Sequence, residues 1–422
     1  MALASRGATA LSTGAIYSGS RGSNAMIERD AISDRPVSKP SWNPLRCRGT
    51  DLPLNLTIMV KVLAMVLLLV NHVRILPDPW LPFIPGLDAF PPVLFQRALQ
   101  IVFLISAIAI VFNRRVRFAS LVLGSTILLA VVSSKAYYGN NKTFCGLLLF
   151  LAGLYKQGGP NFIRWQLAIT YFGAGLNKAI DGDWHSGVFF ENWAVNRLQQ
   201  PWFIALDSKL PPLVLACLMC WTTIITELAT VPCLLIPSLQ YWAILANIFF
   251  QSSLLLFTGT TFTLFFYAMT AASLAFFSWP ADSALVFYDS GRKMTQRARS
   301  FFQAWDLDGM FAWIPYQSET ASQYKLPAGY DAGQGLVLLD ANNVYTGFRA
   351  LRMILLLNPI TYFMIAGSIA AFEGLSGQGV FFRRLIVLVS LMLLMPPLAW
   401  ILDRLAGARD AFQSADSADV RA

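Results

Sequence analysis

Apolar runs of close to twenty residues recur through this chain, and they fix its class before any other feature is weighed. Crossing a hydrocarbon core of about 30 Å takes about 20 helical residues. Runs at 52–70, 93–112, 118–134, 162–180, 213–236, 242–257 and 262–279 approach or reach that length, and a shorter one at 144–155 reads as tilted into the bundle or re-entrant. A buried helix in a large soluble protein explains one such run, but not six or more. Charged residues make up only 13% of the chain, against about 25% in soluble domains, and the mean hydropathy is +0.53. The expected fold is an α-helical polytopic membrane protein of about eight spans, with one or two more near the C-terminus.

Loop charge sets the expected orientation. The tail at 1–50, rich in Ser, Ala, Gly and Arg, carries Arg29, Arg35, Lys39, Arg46 and Arg48 and reads as disordered. No acidic residue precedes Glu28, a composition shared with organelle transit peptides; a plain tail or a start at Met26 fits as well. No apolar core follows the early arginines, so no secretory signal peptide is expected. Arg114, Arg115 and Arg117 form the next basic loop on the same side, followed by Lys156 and Arg164. By the excess of Lys and Arg in cytoplasmic loops, the tail is cytoplasmic in a cell membrane. After eight spans the chain returns to that side near Pro280. Trp80, in a Pro-rich loop, suits an interfacial anchor. Lys61 interrupts the first run; a lysine there is either a functional group or one facing a wet bundle interior.

Beyond 280 the pattern changes. Residues 284–289 and 311–316 read as short buried strands, 292–305 and 346–357 as helices, and 335–345 as a hairpin with an Asn-rich turn. The expected organisation is a tail at 1–50, a transmembrane domain at 51–280, a small α/β domain at 281–358, apolar helices at 359–403 and a second tail at 404–422. Within the apolar helices, 358–372 and 385–402 flank Arg383 and Arg384, which do not fit a simple hairpin.

Several function classes fall away. The net charge is +9, but no basic stripe interleaved with aromatics points to nucleic acid. Five cysteines give no disulfide framework. Cys217 and Cys220 form a C-x-x-C inside an expected span, where packing explains them better than redox chemistry. His72 and His185 stand without a motif, so no metal site is expected. No inverted repeat or pair of broken helices suggests a transporter.

The fifth run ends in RWQLAITYFGAGLNKAIDGDW. This resembles the vitamin K-dependent gamma-carboxylase and its bacterial relatives, the HTTM (horizontally transferred transmembrane) family. The pattern R-x-Q, Y-F-x-A-G-x-x-K, D-W-x-x-G is met by Arg164, Gln166, Tyr171, Phe172, Ala174, Gly175, Lys178, Asp183, Trp184 and Gly187. Flanking segments YGNNKTFCGLLLF and ITELATVPCLL agree, so the resemblance covers about residues 50–280.

The resemblance implies that Lys178 is a base acting on a lipid-soluble, quinone-like substrate, reduced quinone in the carboxylase itself. A free lysine, with a pKa near ~10.4, is a poor base at neutral pH, and burial can make it usable. Asp181 and Asp183 oppose this by favouring the ammonium; on that reading Lys178 is an interfacial lysine in an ion pair. Glu227 and Arg164 are weaker candidates for orienting or charge-balancing roles.

Departures count against glutamate carboxylation. The carboxylase's second lysine is Asn177 here, the histidine after its two asparagines is Lys142, and a further histidine aligns with Phe250. Its large β-rich extramembrane region has no counterpart.

The segment LVFYDSGRKMTQRARSFFQAWDLDGMFAWIPYQSE is similar to the DCC family, thioredoxin-like oxidoreductases often fused to HTTM regions. Where that family places its two cysteines, this chain has Arg292 and Thr295, and neither can form a thiolate. Tyr288, Asp289, Pro315 and Gln317 match as structural positions. The expectation is a thioredoxin-like fold without redox activity, open to docking a protein partner. Two readings stand: a membrane enzyme with Lys178 as base, or a non-catalytic scaffold in the bilayer.

Overall fold

A computed structural model of the chain describes residues 42–70, 82–155, 160–258, 263–277, 279–280, 283–324, 335–340 and 343–373. The expectations made for His72, Trp80, Lys156, Arg383, Arg384 and both far tails lie outside these residues.

The membrane part is a helix bundle. Its helices are α1 (Leu54–Val70), α2 (Pro92–Val111), α3 (Val116–Ser133), α4 (Asn140–Leu154) and α5 (Asn161–Ile180). Short pieces follow, α6 (Gly182–Ser186), α7 (Val188–Glu191), a π-helical turn over Asn192–Arg197 and α8 (Pro201–Asp207). The bundle closes with α9 (Val214–Leu235), α10 (Gln240–Thr258) and α11 (Thr263–Leu274). Each long apolar run at 52–279 thus has a helix at its core among the described residues.

Among the described residues, α2, α3 and α9 are long and apolar enough to cross a membrane, and α1 and α11 are shorter apolar helices. The sequence expectation was about eight spans. Helix α4 has only 15 residues and α5 carries Arg164, Gln166, Asn177 and Lys178, which sets these two apart from the three long apolar helices. On α2 most of the helix faces outward, exposing Val93, Leu94, Ile101, Ile105 and Ile108. Such a surface is costly in water and suited to lipid.

Polar contacts tie one end of the bundle together. Lys61, wholly buried in α1, donates to the Arg46 carbonyl and to Asn113 Oδ1 at 2.9 Å. Asn113, in the left-handed region at φ 58, donates back to the Asn43 and Arg46 carbonyls. Asp51 accepts from the Arg117 amide at 3.1 Å. The segment before α1 and the basic loop at 113–117 thus share one end, as the charge pattern required.

The second region is a four-stranded sheet built from β1 (Ala284–Tyr288), β2 (Phe311–Pro315), β3 (Val337–Asp340) and β4 (Asn343–Thr346). Helices α12 (Lys293–Trp305) and α13 (Glu319–Ser322) follow the first two strands, and α14 (Gly347–Leu356) follows the last. The strand order is β2-β1-β3-β4, with β1 parallel to β2 and antiparallel to β3, and β3 antiparallel to β4. Val286, Phe287 and Tyr288 on β1 are buried, as a central strand covered on both faces requires. After α14, a bend of 70° leads into α15 (Pro359–Glu373).

The sheet region is fastened to the basic end of the bundle. Asp308 accepts from the Cys47 amide at 2.8 Å and from the Arg48 amide at 3.0 Å. Arg48 in turn donates to the Pro280 carbonyl at 3.0 Å.

Candidate functional site

Two helices make the site. Gly175 sits where α5 crosses α9; a Cβ there would lie 2.8 Å from Leu228 Cδ2 and 3.3 Å from Glu227 Cβ. Glycine is the residue that permits this approach, as small residues do between membrane helices generally. The approach brings Lys178, near the end of α5, against Glu227, two-thirds along α9.

Lys178 Nζ donates to Glu227 Oε2 at 2.7 Å, to Glu227 Oε1 at 2.9 Å and to the Ala174 carbonyl at 3.3 Å. The side chain of Glu227 is 6% exposed and that of Lys178 is 20% exposed. The carboxylate is thus closed in and the amine retains an opening. The Trp184 ring lies 5.2 Å from the amine and stacks on Phe189 at 4.4 Å.

The partner of Lys178 differs from the expected one. Asp181 and Asp183 follow it closely in sequence, but Asp181 caps α6 by accepting from the Asp183 amide at 3.0 Å. Two residues adjacent along a chain at a helix end need not face the same way, and an N-cap carboxylate is already engaged with backbone donors. The rest of the motif is structural: Gly187 ends α6 at φ 86, and a Cβ there would lie 2.6 Å from the Cys217 amide nitrogen.

Arg164 does not join Lys178. Fourteen residues separate them along α5, about 21 Å at 1.5 Å per residue, and Arg164 donates to Gln240 Oε1 at 2.7 Å. It braces α5 against the start of α10. Lys142 is also elsewhere, donating to the Tyr137 carbonyl at 3.0 Å with its amine 3.7 Å from the Tyr137 ring centroid.

A buried polar cluster lies two turns back along α5 from the ion pair. Tyr171, seven residues before Lys178 and so on the same side of α5, donates its hydroxyl to Asn247 Oδ1 and accepts from Gln251 Nε2 at 3.1 Å. Asn247 donates onward to Ser273 Oγ at 2.7 Å and to the Met269 carbonyl at 2.9 Å. Phe250 packs edge-on against Tyr171; the polar neighbour is Gln251, one residue on. Asn247 and Gln251 were not singled out from sequence, although two amides four residues apart in an apolar helix are a readable signal.

The other sequence candidates are packing elements. Cys217 donates to the His185 carbonyl at 3.3 Å, Cys220 is buried among Phe190, Phe203 and their neighbours, and all five cysteines are free. His185 stacks on Trp221 at 5.3 Å. Among the described residues no group of three His, Cys, Asp or Glu side chains comes together.

In the sheet region the turn after β1 is a closed polar loop. Thr295 Oγ1 donates to the carbonyls of Asp289 and Arg292. Hydrogen bonds from the Gly291 amide and the Gln317 carboxamide hold the Asp289 carboxyl below the ordinary carboxylate range.

Residues 160–280 match the family model described as the HTTM domain. The match spans α5 to α11 and contains both members of the ion pair. No curated protein and no solved structure matches the chain.

Proposed function

We propose that this membrane protein acts on a lipid-soluble, acidic substrate of the reduced-quinone type, with the Lys178–Glu227 pair as its proton acceptor. The observation that carries the reading is the pair itself: it is the one ion pair within the bundle among the described residues, and it lies in the stretch matched by the HTTM model. A charge pair costs several kcal/mol of desolvation per ion, and in membrane helices ionisable groups concentrate at functional sites. When the amine is neutral it takes a hydroquinone O–H proton, leaving the quinol anion and an ammonium that the Glu227 carboxylate balances. Phe172, Leu176 and Ile180 on α5 and Ile225 on α9 are exposed and apolar on the outer sides of the two helices, a surface suited to lipid. The carboxylase departures at Asn177, Lys142 and Phe250 argue for chemistry other than glutamate carboxylation.

A second reading is favoured by one observation. Lys178 fills its three donor positions with Glu227 and Ala174, which is what a purely structural lysine joining two helices would do. On that reading the chain is a scaffold, and residues 281–358 dock a protein partner. The strand order with its antiparallel third strand supports a thioredoxin-like fold there, and Arg292 and Thr295 in place of cysteines leave it without thiol chemistry.

The experiment is Lys178→Arg in the purified full chain, titrated in nanodiscs with a reduced naphthoquinone. Arginine keeps the ion pair but does not give up its proton. Enzyme function requires wild-type turnover and a loss of about 10²-fold or more in the variant, with unchanged thermal stability. Equal turnover in the two proteins removes the lysine from the mechanism, and no turnover in either leaves the scaffold.

The basic residues gathered at the end that holds Asp51, Arg117 and Asp308 support placing the tail and residues 281–358 in the cytoplasm, and the remaining helices of 51–280 are read as further spans. A labelling probe that reached positions 290–324 only from outside the cell would reverse this orientation.

A further inference from the structure

Helix α12 carries a feature that neither the sheet core nor the ion-pair site uses. Its inner side is set by Thr295 and Phe302, both buried. At about 100° per residue, Lys293, Ala304, Arg297, Phe301 and Met294 fall next to one another on a single outer arc, and all five are exposed. Met294 is 85% exposed and Phe301 49% exposed. Two large apolar side chains beside two cations, on a helix with no acidic residue, are poorly explained by contact with water alone.

The place of α12 in the fold supplies the occupant. The carbonyl of Trp305, its last residue, accepts from Asn358 Nδ2 at 3.3 Å, immediately before α15. Asp308, three residues further, holds the Cys47 and Arg48 amides just ahead of α1. The C-terminal end of the helix is therefore fastened to the end of the bundle where α1 enters. Phe301 packs on Trp305 with ring centroids 4.9 Å apart, so its aromatic surface continues towards that end.

We propose that the Lys293–Arg297 and Met294–Phe301 arc docks on the anionic headgroups of the leaflet next to the sheet region. The cations meet lipid phosphates while Met294 and Phe301 enter the headgroup boundary, the division of labour found in helices that lie on membranes. The sheet region is then held to the bilayer at two places, through Asp308 and through α12.

The test places a nitroxide at Ala304→Cys in the full chain, with Cys217 and Cys233 replaced by Ser. The labelled protein is reconstituted in nanodiscs of phosphatidylcholine, with or without about one-third phosphatidylglycerol. In anionic discs the label should collide more with dissolved oxygen and less with a water-soluble nickel chelate, and the difference should shrink with added salt. Lys293→Glu with Arg297→Glu should reduce the docked population by about tenfold or more. Met294→Ser with Phe301→Ser should reduce it while leaving the charge unchanged. High nickel access in both bilayers, with the fold intact by circular dichroism, overturns the proposal and leaves the face to a soluble protein. Equal docking in both bilayers overturns the assignment to anionic lipid.

Discussion

Two of the lysines in the bundle, Lys61 and Lys178, have contrasting surroundings. Lys61 in α1 is wholly buried, and it donates hydrogen bonds to two neutral oxygens, the Arg46 carbonyl and Asn113 Oδ1. Lys178 in α5 keeps an opening and is met by both oxygens of a carboxylate. Dipoles from a carbonyl and a side-chain amide fix the first as a strut between the pre-α1 segment and the end of α2. The second is bound to a group that can itself take a proton. A lysine in a span is therefore informative only with its partner: neutral acceptors point to architecture, and a carboxylate permits chemistry.

The largest test of this contrast is Glu227→Ala. It leaves the Lys178 ammonium without its counter-charge, at a cost of about 3 kcal/mol; the low end of the range for a broken buried pair applies because the amine still reaches water. Lys61→Met should cost less, about 1–2 kcal/mol. Asn113 loses one donor, but the Arg46 carbonyl keeps its bond from Asn113 Nδ2 at 3.0 Å, and the desolvation of a buried ammonium is relieved. The smallest effect belongs to Lys178→Met combined with Glu227→Leu, which removes both charges and should fall within about 1 kcal/mol of wild type. Unfolding midpoints in mixed micelles rank the three. If Lys61→Met proved costlier than Glu227→Ala, the contrast between strut and charge pair would have to be inverted.

Much of this was legible in the residues, and the limits are physical. Helix and strand positions follow from periodicity: expected strands at 284–289 and 311–316 are observed at Ala284–Tyr288 and Phe311–Pro315, and the helix expected at 292–305 at Lys293–Trp305. The hairpin over 335–345 is observed as the antiparallel pair β3 and β4, two short strand-forming runs on either side of an Asn-rich stretch. What periodicity cannot convey is which face of one helix meets which face of another. Lys178 and Glu227 were both singled out, yet the expected partner was an aspartate three or five residues away rather than a glutamate forty-nine residues on. The short helices between Gly182 and Asp207, including the π turn, carry no clear period and were not foreseen. Lys61 was read as either functional or facing a wet interior, and its bond to Asn113 depends on that residue adopting a left-handed backbone that composition does not announce.

The polar anchors of α5 carry one more consequence. Tyr171 and Lys178 stand two turns apart on one side of the helix; the first is tied to α10 and the second to α9. Rotating α5 about its own axis would withdraw both anchors together, and sliding it along that axis would misalign both by the same distance. Motion of either kind is all-or-none. The movement left open is a small tilt with Gly175 as the fulcrum, which would lengthen one tie while shortening the other. If this part of the bundle transmits anything, it does so as a rocker rather than as a piston or a dial.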